Sequence, residues 1–231
     1  MTAGAFEPKF TQLHVPDSNY AVAHAYLAWS HQMSFSHGGF DQADKILGLQ
    51  HARAAIANDV DDATALTFGA MVIGLLGKDA DAALNAIQRA LSFNPSSAFA
   101  LYCGAELYAW SGDPETANAY AQRALRLSPF DPFAFHAHLA LAIAATQEGR
   151  YAEAAAHAAK VVQANPSHGV YMAYQAISLA LAGRVEEARP IFARALELEP
   201  EFRIRTIIEL GYVPAIADRF VRGAKLLGAR E

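Results

Sequence analysis

Four prolines punctuate this 231-residue chain at a nearly fixed interval. Pro95 closes the phrase ALSFNP, Pro129 closes ALRLSP, Pro166 closes VVQANP and Pro200 closes ALELEP, with separations of 34, 37 and 34 residues. Proline lacks an amide proton and stops a helix, so each phrase marks the end of a helical segment. No other feature limits the fold as much. A supersecondary unit repeated at this period cannot bury its apolar face alone and must stack on its neighbours.

The interior of each unit repeats as well. Ala83, Ala117, Ala154 and Ala188 stand twelve residues before the prolines, and Ala90, Ala124, Val161 and Ala195 stand five before. Met71, Ala105, Ala142 and Ala176 stand twenty-four before. Antiparallel helices approach closely only where the facing side chains are small. Gly112, Gly149 and Gly183 fall where the first helix of each pair must turn, and glycine suits a left-handed C-cap. One unit departs: its glycine, Gly77, comes a place early and Lys78 holds the turn position. In SGDPETA a new helix starts, with Asp113 as N-cap, Pro114 at the first helical position and Glu115 in the first turn. Helix pairs are therefore expected at about 64–77 and 79–93, 97–111 and 114–127, 131–148 and 151–164, and 168–182 and 185–198. Pro190, inside the last of these, predicts a kink or a late helix start.

Period, paired helices and small crossing residues together resemble the tetratricopeptide (TPR) repeat. The resemblance covers about Asn19 to Pro200. It implies an all-α fold: a TPR-type α-solenoid, a right-handed superhelix of antiparallel helix pairs, ended by C-terminal capping helices. The repeats are expected at about 19–60, 61–95, 96–129, 130–166 and 167–200. In the first, Val60 takes the proline slot, Gly48 and Ala55 take the packing offsets, and an expanded turn, SFSHGGFD, follows a helix near Asn19 to Met33. Residues 1–18 read as an N-terminal tail or the remnant of a preceding repeat. Residues 201–231 read as two short amphipathic segments, FRIRTIIELG and VPAIADRFVRGAKLLGARE. In the second, Ile216, Phe220 and Leu227 share a face, and Arg219, Arg222 and Lys225 lie largely off it. It reads either as a cap over the last apolar face or as a basic helix that binds a partner or a membrane surface.

A narrower resemblance lies in AWSGDPETANAYAQRALRLSPFDPFAFHAHLALAIAATQEGRYAEAAAHAAKVVQANPSHG, from Ala109. It is similar to the C-terminal TPR region of bacterial class III adenylate/guanylate cyclase-like proteins and related winged-helix transcriptional regulators. The resemblance implies a regulatory module attached to an output domain, and it brings no catalytic residue with it. Within this stretch FDP is the three-residue excess that lengthens one interval to 37. Asp131 and Pro132 resemble an N-cap and first helical position, and the phenylalanines read as joint packing.

Composition narrows the function. Apolar residues make up 53%, charged residues 18%, and the net charge is −5. Nucleic-acid binding needs clustered lysine and arginine, which this balance lacks. Cys103 is the only cysteine, so no intrachain disulfide or cysteine-based zinc site forms. The start MTAGAFEPKF lacks a signal-peptide pattern, and the longest aliphatic run, Leu139–Ala145, falls far short of a membrane span. A cytoplasmic protein that meets neither nucleic acid nor membrane is expected.

No catalytic constellation emerges. There is no GxSxG, Walker or dinucleotide-binding pattern. Nine histidines raise a metal hypothesis, with His24 and His31 seven apart on one helix and His37 in the next turn, but no HExxH motif or completing carboxylate accompanies them. His136 and His138 are two apart and point to different faces. Cys103 reads as a buried, inert thiol, and SHGG, from Ser36, as a turn before a helix. Neither an enzyme nor a cofactor is expected.

Surface remains. The first helix of each TPR pair lines the concave groove, which places Phe68, Val72, Leu76, Phe99, Tyr102, Glu106, Trp110, His136, Ile143, Gln147 and Ile177 toward it. The aliphatic members read as inter-repeat core. Phe68, Phe99, Tyr102, Glu106, Trp110, His136 and Gln147 are the partner-binding candidates, with Phe99, Tyr102 and Trp110 open between groove and core. Aromatics with a few polar groups suit a protein or peptide segment lying in a groove, or an adjoining output domain. The positions where some TPR domains clamp a C-terminal carboxylate with lysine and asparagine hold Phe68, Tyr102, Leu139, Ala173, Val72, Glu106, Ile143 and Ile177. Binding of acidic chaperone tails is not expected, and homo-oligomerisation is left open.

Overall fold

The computed structural model describes residues 20–37, 41–58, 61–200, 202–204, 207 and 213–230. The expected tail 1–18, part of the SFSHGGFD turn, Val60 and most of FRIRTIIELG lie outside the described residues. Eleven helices run through the rest, and no strand occurs among the described residues. They are α1 (Ala21–His37), α2 (Gln42–Asn58), α3 (Ala63–Gly77), α4 (Ala80–Phe93), α5 (Ala98–Ser111), α6 (Pro114–Leu127), α7 (Ala134–Gln147), α8 (Tyr151–Ala164), α9 (Gly169–Leu181), α10 (Val185–Leu198) and α11 (Pro214–Leu226).

The chain divides into two compact units, residues 1–95 and 96–231. In the first, α1 pairs with α2 and α3 with α4, and α3 also packs on α1 and α2. The second holds the hairpins α5–α6, α7–α8 and α9–α10, with α5 and α6 against α7, and α8 against α9. Each unit is thus a stack of antiparallel hairpins of the TPR solenoid type. The alanine frame explains the closeness: Ala83, Ala117, Ala154, Ala188, Ala90, Ala124, Ala105 and Ala176 are at most 1% exposed, so helix backbones meet where no side chain holds them apart.

Helix starts follow the local chemistry. Asp62 accepts from the backbone N–H groups of Thr64 and Ala65, Asp79 from Ala82, Ser97 from Ala100 and Asp113 from Thr116. Each satisfies donors that a helix N-terminus leaves open. At the α5–α6 turn Gly112 adopts φ +92°, while Lys78 takes the same left-handed role between α3 and α4 at φ 55°, a conformation that strains a residue bearing Cβ.

The structure corrects two sequence expectations and, of the two readings of Pro190, excludes the late helix start. Helix α1 runs on past Met33 to His37. Asp131 does not cap α7: its carboxylate accepts from Phe133 N at 2.8 Å, its carbonyl from Ala134 N at 2.9 Å, and the helix begins at Ala134. The extra FDP therefore folds as a turn ahead of the helix. Helix α10 starts on time at Val185 and continues through Pro190. Pro190 and Glu186, whose carbonyl it leaves without a helical donor, are both exposed, so that carbonyl is open to solvent.

The first helices of the pairs (α5, α7, α9) and the second (α6, α8, α10) are buried differently. Ten residues of α5 are buried, from Ala100 to Trp110, whereas α6 buries only Ala117, Ala121 and Ala124. Helices α6 and α8 each turn a broad face to solvent. The first helices are enclosed on more sides, and what encloses them determines which surface is available.

Candidate protein-binding face

Of the seven candidates, Phe68 sits in the first unit. It is 5% exposed, with its ring 5.1 Å from that of Tyr26 and 5.3 Å from that of Trp29. The other six lie on α5 and α7 of the second unit, and the structure brings most of them together. His136 Nδ1 and Glu106 Oε2 are 2.5 Å apart, and both side chains are 4% exposed. Tyr102 is fully buried and donates its hydroxyl to Ser128 O at 2.5 Å. Gln147 Nε2, half-buried, donates to Ala109 O at 2.5 Å, tying α7 to α5. Trp110 is buried at 8% exposure. Tyr102 and Trp110, left between groove and core by the sequence, thus fall on the core side, and Val72, Leu76, Ile143 and Ile177 are buried as well.

What remains accessible is an aromatic ridge at the N-terminal ends of the first helices. Phe99 is half-buried, with its ring 5.1 Å from that of Phe133, which is 37% exposed. Phe133 stacks on His136 at 6.2 Å, Phe135 lies 4.1 Å from His136 and 5.9 Å from Tyr171, and Tyr171 lies 5.5 Å from His168. The ridge roofs the Glu106–His136 pair and spans α5, α7 and α9. Phe130, one turn away in sequence, is 96% exposed. It projects from the joint where packing was expected; Phe133 and Phe135 supply the packing instead.

Sequence reasoning missed Phe133, Phe135 and Tyr171 as surface. A signal existed: Phe99 and Phe133 each stand four residues after a repeat-closing proline, Pro95 and Pro129.

The C-terminal ends of α7 and α9 are covered by α11, which packs on both. Ile216, Ala217, Phe220, Gly223 and Ala224 form its buried face. The Phe220 ring lies 5.2 Å from that of Tyr174. At Gly223 an added Cβ would come within 2.7 Å of Ile177 Cγ2 and 3.0 Å of Ile177 O, so only glycine allows this approach. Arg219 Nη1 donates to Thr146 O at 3.1 Å, and Arg222 Nη2 donates to the Tyr151 hydroxyl at 2.7 Å. Just before the helix, Val213 N donates to Trp110 O at 3.2 Å.

Electrostatics assign no reactive group to this face. Burial, reinforced by the Glu106 carboxylate, holds the Cys103 thiol well above its ordinary value, so it stays protonated. Burial and then Glu106 likewise raise the Tyr171 phenol, and burial and Asp131 raise Tyr102. Outside the face, His138 and His157 meet with Nδ1 atoms 3.2 Å apart, and burial, Lys160 and His157 push His138 down to about 4. In the first unit, His24 and His31 do share a face: His24 Nδ1 is 2.8 Å from His51 Nδ1, and His31 stacks on His51 while binding Asp44 at 2.7 Å. Among the described residues no group of three His, Cys, Asp or Glu side chains could hold a metal ion, and no helix is long and apolar enough to cross a membrane.

The tetratricopeptide repeat family model matches residues 105–169, which include Phe133, Phe135 and the Glu106–His136 pair. No curated protein is similar enough to match. Among solved structures, the chain is similar to PilW, a widely conserved type IV pilus biogenesis factor, at 20% identity and a TM-score of 0.62, covering 90% of this chain and 89% of that one. It is also similar to a tetratricopeptide repeat protein from Parabacteroides merdae, at 18% identity and a TM-score of 0.55, covering 88% and 85%. The MamA structure from Desulfovibrio magneticus is 16% identical with a TM-score of 0.52, covering 77% of this chain and 96% of that one. At these identities the likeness carries the fold, an all-helical solenoid of the tetratricopeptide type, and residues 105–169 match the repeat itself.

Proposed function

We propose that this chain is a non-catalytic TPR scaffold that holds a protein segment on the face formed by its first helices. The observation that carries this reading is the ridge of Phe99, Phe133, Phe135 and Tyr171, which runs across three consecutive hairpins with Phe133 exposed and the others partly buried. Aromatic side chains bury much area at small entropic cost, and rigid, adjacent ones serve as anchors at interfaces. The partner is a protein segment with apolar side chains, met in the cytoplasm; neither nucleic acid nor membrane is involved. A Phe99→Ser, Phe135→Ser double variant should lose partner capture while its helical circular dichroism is kept. Undiminished capture by a folded double variant contradicts the assignment.

A second reading keeps the scaffold and makes it regulatory: the TPR region of a nucleotide cyclase-like or winged-helix regulator, controlling an output domain. The phrase ALRLSPFDPFAF and the helix that follows it favour this. An output domain encoded in the adjoining reading frame supports it, and its absence there counts against it.

A further inference from the structure

Helix α1, in the first unit, is held on two sides by different chemistry. His24 and His31 stand seven residues apart, two helical turns, and so share a face. Tyr26 and Trp29 stand roughly half a turn around from it. The histidine face meets α2. His24 Nδ1 lies 2.8 Å from His51 Nδ1, the His31 ring stacks on that of His51 at an interplanar angle of 4°, and His31 Nδ1 lies 2.7 Å from Asp44 Oδ1. The aromatic face meets α3, where Tyr26 and Trp29 bring their rings against Phe68 and leave it 5% exposed. Helix α1 thus covers Phe68, and three imidazoles fasten α1 to α2. Apolar burial alone holds the helix lightly: its buried apolar residues are Ala21, Ala25, Leu27 and Ala28, and Tyr26 stays 52% exposed.

The fastening depends on protonation. Two Nδ1 atoms at 2.8 Å share one proton, so one ring donates and the other accepts through its lone pair; the accepting ring is neutral. A proton added there sets two N–H groups against each other and charges the rings beside the stacked His31. Among the described residues the carboxylate that meets the cluster is Asp44, through His31. The other described ionisable groups nearby offer little relief. Tyr20 and Tyr26 on the α1 side are exposed, Lys45 and Arg53 on α2 are cations, and Asp41 is engaged on Ala43 N at the start of α2. Helix α3, which packs on both α1 and α2, contains no ionisable side chain, and Asp62 ahead of it caps its first turn. Asp44 offsets one added charge, and a second is opposed by its neighbours. In keeping with this, burial, then His24 and His31, hold His51 below its ordinary value.

We propose that His24, His31 and His51 form an acid-released latch: as protons accumulate on the cluster, α1 lifts from α2 and α3 and uncovers Phe68. The released cluster binds more protons than the latched one, so the latch is fully closed above the ordinary histidine value of 6.5 and weakens as pH falls below it. The first unit then presents an apolar, aromatic surface that the closed state hides. The latch lies apart from the ridge on α5, α7 and α9, so its failure leaves capture through Phe99 and Phe135 standing.

Hydrogen exchange of the full chain, read by mass spectrometry from about pH 8 to about pH 5 and corrected for intrinsic rates, tests the latch. Amides of α1 should lose protection by at least about tenfold, while those of α9 and α10, helices without histidine, keep theirs. Fluorescence of the apolar dye 8-anilinonaphthalenesulfonate should rise over the same range. His51→Gln keeps a hydrogen-bonding side chain beside His24 but cannot take up a proton, and should abolish both changes; His24→Gln should do the same and serves where the first variant folds poorly. Asp44→Asn removes the offsetting carboxylate and should move the transition to higher pH. Loss of α1 protection that is unchanged in both glutamine variants overturns the proposal. So does protection of α1 that persists until α9 and α10 open as well, or a transition that Asp44→Asn leaves in place.

Discussion

The two ends of the first helices in the second unit are covered in opposite ways. At their N-terminal ends the roof is aromatic, built from α5, α7, α9 and the joint before α7, and it stays partly open to solvent. At the C-terminal ends of α7 and α9 the roof is a separate helix, α11, brought from the end of the chain. Beneath the first roof lies a buried acid–histidine pair; beneath the second lie aliphatic side chains and helix-end carbonyls. The difference shows what each end can do. The aromatic end is preformed, because its side chains are braced by one another and by the pair below. The other end must be vacated before anything else can use it.

The largest effect should come from beneath the aromatic roof. Glu106→Ala removes the partner of a buried histidine and should cost about 3 kcal/mol in chemical unfolding; a cost as small as a surface mutation's would show that the pair does not brace the ridge. Phe220→Ala should cost less, about 2 kcal/mol, because a terminal helix can detach without unfolding the hairpins beneath it. If the two losses were equal, the contrast between an integral and a removable roof would fail.

A pH titration of stability probes the hairpin behind the face. The folded state holds His138 near 4, below its ordinary 6.5, so the unfolded chain binds more protons between those values. The stability contributed is complete above pH 6.5 and is lost as pH falls toward 4. His157, also depressed, acts in the same direction. Thermal midpoints should fall through this window, and His138→Gln should flatten the fall; an unchanged slope contradicts the burial of a neutral imidazole.

Smaller effects sharpen the picture. Tyr102→Phe removes one buried hydrogen bond, to Ser128 O, and should cost about 1 kcal/mol in the same unfolding measurement. Phe130→Ser, at a side chain that is 96% exposed, should change stability by less than about 0.5 kcal/mol. If the open end takes the partner, its capture should nevertheless weaken.

Much of the fold could be read in the sequence because its determinants are local. Gly112, Gly149 and Gly183 mark turns through a backbone angle that glycine alone adopts without strain, and all three have positive φ. The displaced glycine at 77 even foretold that Lys78 would take the left-handed position. Where local signals competed, sequence reasoning failed. Asp131 followed by Pro132 has the form of a helix start, but the Asp131 side chain closes a turn onto Phe133 instead. The candidate face was legible only in part. Counting along the repeat places Tyr102, Glu106 and Trp110 on the inward side of α5, yet their burial depends on residues more distant in sequence. Helix α11 was visible as an amphipathic segment, with Ile216 and Phe220 on its buried side. Where that side docks is decided by the shape around Ile177 and by the carbonyls of Trp110 and Thr146 at two helix ends, neither of which leaves a pattern in α11 itself.

The central claim is that a partner segment lies on the face of the first helices and not on the outer face of the hairpins. It can be tested in native lysate with a photocrosslinking phenylalanine analogue placed at Phe99 or Phe133, and at Gln122 on the exposed side of α6. Adducts with the same partner from positions 99 and 133, and none from 122, are the predicted result. Adducts from 122 alone, or equally from all three, would contradict it.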